Sequence, residues 1–188
     1  MIRKGNLKKR LLERALEVNA LQLGKFVLSS GKESAFYFDG RLLSLDPEGI
    51  ALIATLFLKE FASSRANFVG GPTLGADPIV SAITLLSYYS THLINGFLVR
   101  GDKKKHGTEK QIEGNLSKDA RVIVVDDTCT TGKSLLNSIK VIEEKGAKVM
   151  RVLVVLDRNE GGASEIKKAG FLFTSLFTVQ NSKVVLSD

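Results

Sequence analysis

Cysteine is nearly absent from this 188-residue chain. The single thiol, Cys129, excludes an intramolecular disulfide framework and any multi-cysteine metal site, and it is compatible with a reducing cytoplasm. Proline is scarce as well, at three residues, and no apolar run approaches the ~20 residues needed to cross a bilayer. A signal peptide is not expected, because the basic segment from Arg3 to Arg14 runs into Glu13 and Glu17 and not into an apolar core. Internal repeats and low-complexity linkers are also missing. What remains is 44% hydrophobic residues with 27 basic and 20 acidic side chains, a balance that excludes intrinsic disorder and fits one compact domain over residues 1–188. A soluble, cytoplasmic protein with no membrane partner is the expectation.

The net charge of +7 is clustered. Residues 1–14 hold six basic groups against one acid, and Leu7, Leu11, Ala15 and Val18 recur at helical spacing, so this cluster reads as the solvated face of an amphipathic helix. Residues 100–110 hold five basic groups, Arg100, Lys103, Lys104, Lys105 and Lys110, against Asp102 and Glu109. That stretch has no apolar periodicity and contains Gly107, which reads as a loop offering cations to an anionic ligand.

The remaining pattern alternates. A helix is expected over residues 6–20, then a hairpin from Phe26-Val-Leu-Ser and Ala35-Phe-Tyr-Phe-Asp around Ser30-Gly-Lys-Glu. Asp46-Pro47-Glu48 marks a helix start, with the helix running to Phe61. A strand near Asn67 to Gly70, a helix near Asp77 to Tyr88 and a strand near Leu93 to Val99 follow. The apolar run Val122 to Val125, an amphipathic segment from Gly132 to Lys145 and a strand from Lys148 to Leu156 form a βαβ unit, with Gly146 suited to the helix end. A short helix near Glu165 to Ala169 and strands near Phe171 to Phe177 and Lys183 to Leu186 complete an α/β, doubly wound, mainly parallel sheet with a small N-terminal hairpin or hood element.

Ligands of open parallel sheets bind beyond the carboxyl ends of the strands, so chemistry is expected where Val122 to Val125 ends. The sequence there is Asp126-Asp127-Thr128-Cys129-Thr130-Thr131-Gly132-Lys133-Ser134. Two carboxylates leaving a buried strand are costly unless they meet hydroxyls, a cation or water, and the hydroxylic residues after them open a helix whose free N–H groups attract phosphate. A sugar phosphate satisfies both demands: the acids accept from vicinal ribose hydroxyls while the Thr130 to Ser134 backbone cradles a phosphate. Gly132-Lys133-Ser134 also ends like a nucleotide-triphosphate P-loop, but that motif needs glycine where Asp127 stands, and a carboxylate would repel the wrapped phosphate. Elsewhere, His92 reads as structural or solvated, Cys129 as a small loop residue and not a nucleophile, and Phe36, Tyr37 and Phe38 as alternating between the core and a ligand.

Four apolar residues, two acids, three small residues and Thr-Gly together resemble the phosphoribosyl-pyrophosphate signature of the type I phosphoribosyltransferases. Four further segments narrow the resemblance to the orotate phosphoribosyltransferases. Residues 26–39 look like that family's substrate-side hairpin, and Val99 to Lys104 with His106-Gly107-Thr108 and Ile112-Glu113-Gly114 is similar to its catalytic loop. Asp157-Arg158-Asn159-Glu160-Gly161-Gly162 resembles the segment that supplies an orotate-binding arginine, and Gly70-Gly-Pro-Thr-Leu-Gly-Ala-Asp-Pro resembles the loop beside the pyrophosphate.

The resemblance implies transfer of the 5-phosphoribosyl group from phosphoribosyl pyrophosphate to N1 of orotate, giving orotidine 5′-monophosphate and pyrophosphate in pyrimidine biosynthesis, with Mg²⁺. It implies that Arg100, Lys104 and His106 hold the pyrophosphate and that Asp126 and Asp127 hold the ribose hydroxyls. Thr128, Cys129, Thr130, Thr131, Gly132, Lys133 and Ser134 then hold the 5′-phosphate, with Thr130 and Arg158 at orotate. Lys104, His106, Asp126 and Asp127 are the catalytic group so implied. Mg²⁺ is expected on substrate oxygens and water, with no direct protein ligand assigned. A homodimer with shared active sites, its loop reaching the neighbouring subunit, is implied too.

The chain departs from the family where Gly101, Leu74 and Ser29 stand in place of common lysines, with Lys32 the nearest replacement for the last. A phosphoribosyltransferase for another base, and a non-catalytic regulator that binds phosphoribosyl pyrophosphate and nucleic acid, are the other classes considered. Arg158 and the hairpin speak against the first, Lys104 and His106 against the second, and nucleic acid is not an expected partner.

Overall fold

The computed structural model describes residues 6–27, 31, 33–101 and 111–187. Asn6 caps helix α1 (Leu7–Glu17) by accepting from the Lys9 amide, and Leu11 and Ala15 form its buried stripe. The helix ends three residues before the expected boundary, because Asn19 turns the chain with a positive φ of 57° and strand β1 (Leu21–Val27) begins at once. β1 pairs antiparallel with β2 (Glu33–Phe38), which gives the anticipated hairpin as a separate two-stranded sheet.

Helix α2 (Gly40–Ser44), capped by Asp39, is an element the sequence pattern did not reveal. Asp46 and Pro47 open α3 (Pro47–Ser64) as expected, with Asp46 Oδ2 accepting from the Gly49 amide at 2.8 Å. β3 (Phe68–Pro72), α4 (Asp77–Tyr88) and β4 (Asn95–Val99) follow near their expected positions. β5 (Ile112–Gly114) is an unanticipated three-residue strand. β6 (Arg121–Cys129) runs past the expected end, since Asp126, Thr128 and Cys129 keep their pairing with β7 (Lys148–Asp157). α5 (Lys133–Glu144) joins those two strands. α6 (Gly162–Lys168) starts earlier than expected because the Gly162 amide donates to the Thr130 carbonyl and Gly161 supplies a φ of 100°. β8 (Phe173–Gln180) and β9 (Lys183–Leu186) end the fold.

The main sheet has the order β5-β4-β3-β6-β7-β8-β9. β4, β3, β6, β7 and β8 are mutually parallel, while β5 and β9 close the two edges antiparallel. Alternation along β6 divides its side chains between two cores. Ile123 and Val125 pack with Ile53, Phe57 and Ile79 of α3 and α4 on one face, and Val122 and Val124 pack with Leu135, Ile139 and Ile166 of α5 and α6 on the other. Helices on both faces leave the carboxyl ends of β3, β6 and β7 along one open rim.

Arginines tie α1 to the start of α3. Arg14 Nη2 lies 2.6 Å from Asp46 Oδ1, and Arg10 pairs with both Glu17 and Glu48. The Arg14 guanidinium, helped by the Gly49 amide, holds the Asp46 carboxyl down at about 2. A carboxyl depressed in the folded state contributes stability above its unfolded pKa and loses it as pH falls. Thermal stability should therefore fall as pH drops from about 4 to about 2, and Asp46→Asn should flatten that slope. Parallel Tm–pH curves for the two proteins would rule the pair out as a source of acid sensitivity.

Candidate active site

The site grows from the carboxyl end of β6. Asp126 is only 7% exposed, and its Oδ1 accepts from the Asp127 amide at 2.9 Å. Burial pushes the Asp126 carboxyl well above the ordinary carboxylate range, and the neighbouring Asp127 charge adds to the shift. Burial raises Asp127 as well, against the pull of Asp126 hydrogen bonding and the Arg41 charge. Ionised together and without a cation between them, these groups need hydroxyl donors or solvent.

Two glycines make this crowding possible. A β-carbon on Gly75, in the loop after β3, would lie 2.5 Å from Asp126 Oδ1 and 2.6 Å from Asp127 Oδ1. One on Gly40 would lie 2.6 Å from the Asp127 β-carbon, so the start of α2 sits directly on the acid pair. Asp77, in the first turn of α4, adds a third carboxyl nearby whose buried Oδ1 has no hydrogen-bond partner among the described residues. Burial raises its pKa too.

Beyond the acids the chain turns into α5 through Gly132, whose φ of 77° suits glycine. Thr128 through Ser134 line a recess of about 100 Å³ at the start of that helix, where unpaired backbone N–H groups favour an anion. The floor is rigid. The Gly162 amide donates to the Thr130 carbonyl at 3.0 Å, and the Arg158 amide donates to the Cys129 carbonyl at 2.9 Å. Cys129 is buried, and burial pushes its thiol up to about 12, with the Asp157 and Asp126 charges adding to the effect, so it is not a thiolate nucleophile at neutral pH. Lys133 is exposed and lines the recess at the first position of α5.

A second recess, of about 330 Å³, lies between the hairpin side and the acids, with Tyr37, Asp39 and Arg41 facing Leu74, Asp127 and Thr128. A third, of about 500 Å³, is bounded by Thr73, Leu74, Asp77, Arg100 and Glu113. Thr128 lines both the first and the second, and Leu74 both the second and the third, so the three adjoin one another as a trough along the rim. Arg100 marks its far end, with Nη1 at 3.4 Å from Glu113 Oε1. Arg158 reaches β2 on the Phe36 side, 5.7 Å from that ring centroid, and donates to the Phe38 carbonyl at 3.5 Å.

Asp126, Asp127, residues 128–134, Arg100 and Arg158 thus come from distant parts of the chain to one rim. Lys104 and His106 lie outside the described residues, as do Lys103, Lys105, Lys32 and Ser29. His92 has the structural role expected, its Nε2 lying 2.7 Å from the Ala66 carbonyl. Phe36 and Phe38 are core, and Tyr37 faces the trough. Asp77 belongs to the 70–78 segment whose resemblance placed it beside the pyrophosphate, whereas Arg41 was not anticipated. A lone cation after a strand carries no sequence signal for a site; only packing brings it to Asp127. Among the described residues no three His, Cys, Asp or Glu side chains converge as a metal cage. The carboxylates at the rim are hard oxygen donors of the kind that suits a hydrated Mg²⁺ ion.

Residues 77–187 match the family described as Phosphoribosyl transferase domain. The chain is 37% identical over 179 residues to the orotate phosphoribosyltransferase of Methanosphaera stadtmanae, covering 95% of this chain and 98% of that one. It is 39% identical over 175 residues to that of Methanothermobacter thermautotrophicus, with 93% of each covered. Among solved structures, Aeropyrum pernix orotate phosphoribosyltransferase superimposes with a TM-score of 0.78 at 33% identity, over 92% of this chain and 95% of that one. Mycobacterium tuberculosis orotate phosphoribosyltransferase in complex with 5-phospho-alpha-D-ribosyl 1-diphosphate does so with a TM-score of 0.74 at 34% identity, over 90% and 94%.

Proposed function

Because the chain belongs to the orotate phosphoribosyltransferase family, we propose that its trough joins phosphoribosyl pyrophosphate to orotate, releasing pyrophosphate and orotidine 5′-monophosphate for pyrimidine biosynthesis. The observation that carries this reading is the order of the adjoining recesses: an anion recess, a buried acid pair and a cation-bearing far end follow one another. A phosphorylated ribose with a diphosphate at its other end presents the same order of groups.

In the reaction the bond from the ribosyl carbon to orotate N1 forms, with the N1 proton lost to solvent, as the bond to the diphosphate oxygen breaks, so positive charge builds on the ribose and negative charge on the leaving group. Asp126 and Asp127 accept from the ribose hydroxyls and stabilise the positive charge. Thr128 to Ser134 anchor the 5′-phosphate and fix the ribosyl carbon. Arg100 receives the pyrophosphate, together with Lys104 and His106 by sequence. Mg²⁺, when bound, neutralises diphosphate oxygens. Arg158 offers a planar fork to the orotate carboxylate, and Thr130 lies on the same rim. Excluding water protects the ribosyl carbon from hydrolysis.

The proposal includes one phosphoribosyltransferase domain over residues 1–188 and a homodimer. Supporting the dimer, Leu85, Tyr88, Tyr89 and Leu93 are each more than 60% exposed around the end of α4, an apolar patch of the kind that marks an interface. A cytoplasmic location also belongs to the proposal. Among the described residues no helix is long and apolar enough to cross a membrane.

The direct test follows the ultraviolet absorbance decrease of orotate with phosphoribosyl pyrophosphate and Mg²⁺, running uracil, adenine and hypoxanthine alongside by product chromatography. Conversion of orotate alone is expected, and conversion of another base in its place would overturn the assignment. Arg158→Ala should raise the orotate KM and Kd by roughly tenfold or more while leaving ribose 5-phosphate binding intact, since a charged hydrogen bond contributes about 1.5–3 kcal/mol. Unchanged orotate affinity would remove Arg158 from the base site.

A further inference from the structure

We propose that Arg41 is a substrate contact, presenting its guanidinium to an anionic group of the substrate that lies over Asp127, with Asp39 holding it in position. This deepens the phosphoribosyl-transfer reading of the same trough and rests on it. Among the described residues Arg41 is the only lysine or arginine lining the middle recess, which otherwise offers the carboxylates of Asp39 and Asp127. Both reactants of that reading are anions. Without a cation, the two carboxylates of this recess would repel them.

The side chain is aimed by its own neighbour. Asp39 Oδ1 accepts from Arg41 Nε at 3.2 Å and Oδ2 from Nη2 at 3.4 Å, so the pairing is side-on and, among the described residues, does not engage Nη1. The same Oδ1 accepts the Arg41 amide at 3.0 Å as the cap of α2, which fixes carboxylate and guanidinium together. At these lengths, with the Arg41 side chain 56% exposed, the pair orients the guanidinium without burying its charge. Position is set by Gly40. Its close approach to the Asp127 β-carbon docks α2 on the acid pair and leaves Arg41 one residue away at the mouth of the recess.

A phosphate seated at residues 128–134 and hydroxyls at Asp126 and Asp127 direct the rest of the substrates into this recess. The anionic oxygens arriving there belong to the diphosphate or to the carboxylate of the base. Steady-state kinetics of Arg41→Gln and Arg41→Lys, varying each substrate, distinguishes them, with calorimetric binding of orotate, pyrophosphate and ribose 5-phosphate in parallel. Arg41→Gln should raise one KM about tenfold or more. A rise for orotate, matched by its Kd, assigns the carboxylate; a rise for phosphoribosyl pyrophosphate, matched by the pyrophosphate Kd, assigns the diphosphate. Arg41→Lys should restore part of the loss, and ribose 5-phosphate binding should stay unchanged. The proposal fails if both KM values and both Kd values stay within about twofold of wild type, or if every ligand weakens together with a fall in Tm that lysine does not rescue. If the wild-type protein converts no orotate, the functional reading falls, and the orotate and pyrophosphate Kd values still decide the role of Arg41.

Discussion

Asp127→Asn is expected to lower kcat by about 10² to 10³, the loss typical of removing one preorganised electrostatic partner of a charged transition state, or about 2.7–4 kcal/mol. The amide is nearly isosteric, so the tight contacts with Gly40 and Gly75 survive and the loss reports charge. A second signature separates this from a folding defect. Burial raises both carboxyls, and each must be ionised to accept two ribose hydroxyls. The acid limb of kcat/KM for phosphoribosyl pyrophosphate should therefore lie above the usual carboxylate range of about 4, with activity lost as pH falls through the raised pKa. In Asp127→Asn the neighbouring charge that helps raise Asp126 is gone, so the residual activity should show its acid limb at lower pH. A near-wild-type rate with an unmoved limb would take the acid pair out of the chemistry.

Gly162→Ala should have a comparably large effect from outside the recess. Its β-carbon would lie 2.5 Å from Cys129 Sγ, 2.6 Å from the Gly132 amide nitrogen and 2.7 Å from the Thr130 carbonyl oxygen. Two of those atoms are backbone of the turn that leads into α5 and cannot rotate away, so the turn itself must move. Calorimetry should show ribose 5-phosphate binding weakened about 100-fold or more. Overpacking costs about 1–3 kcal/mol, enough to lower Tm by several degrees in a chain of this size. Wild-type phosphate affinity would mean that the anion is held elsewhere.

Much of this architecture was readable in the residues. α4 occupies the expected span because Asp77-Pro78 marks its start and Ile79, Val80 and Ile83 form a buried stripe. The βαβ unit was clear from the apolar runs of β6 and β7. The expected end of β6 at Val125 was too early for a tertiary reason. Acids resemble a strand stop, yet pairing of Asp126 with Val154 and of Thr128 with Leu156 carries the strand to Cys129. That places the carboxylates on a stiff ladder and not in a turn. α2 was missed because five residues are too few for a periodic signal, and β5 because three residues are. Of the site, the acids and hydroxylic turn were contiguous and therefore visible. Arg41 was not, since its relation to Asp127 exists only once Gly40 has packed against the end of β6.

The antiparallel strands at the two borders of the main sheet have a consequence for association. β5 offers three residues and β9 four, and each terminates the parallel run with reversed polarity. Strands so short give little backbone template to an incoming chain, which discourages runaway edge-to-edge polymerisation as the protein accumulates in a cell. At the borders of the main sheet, recognition between copies would then fall to side chains, which are open to mutation, and not to the peptide groups common to every protein.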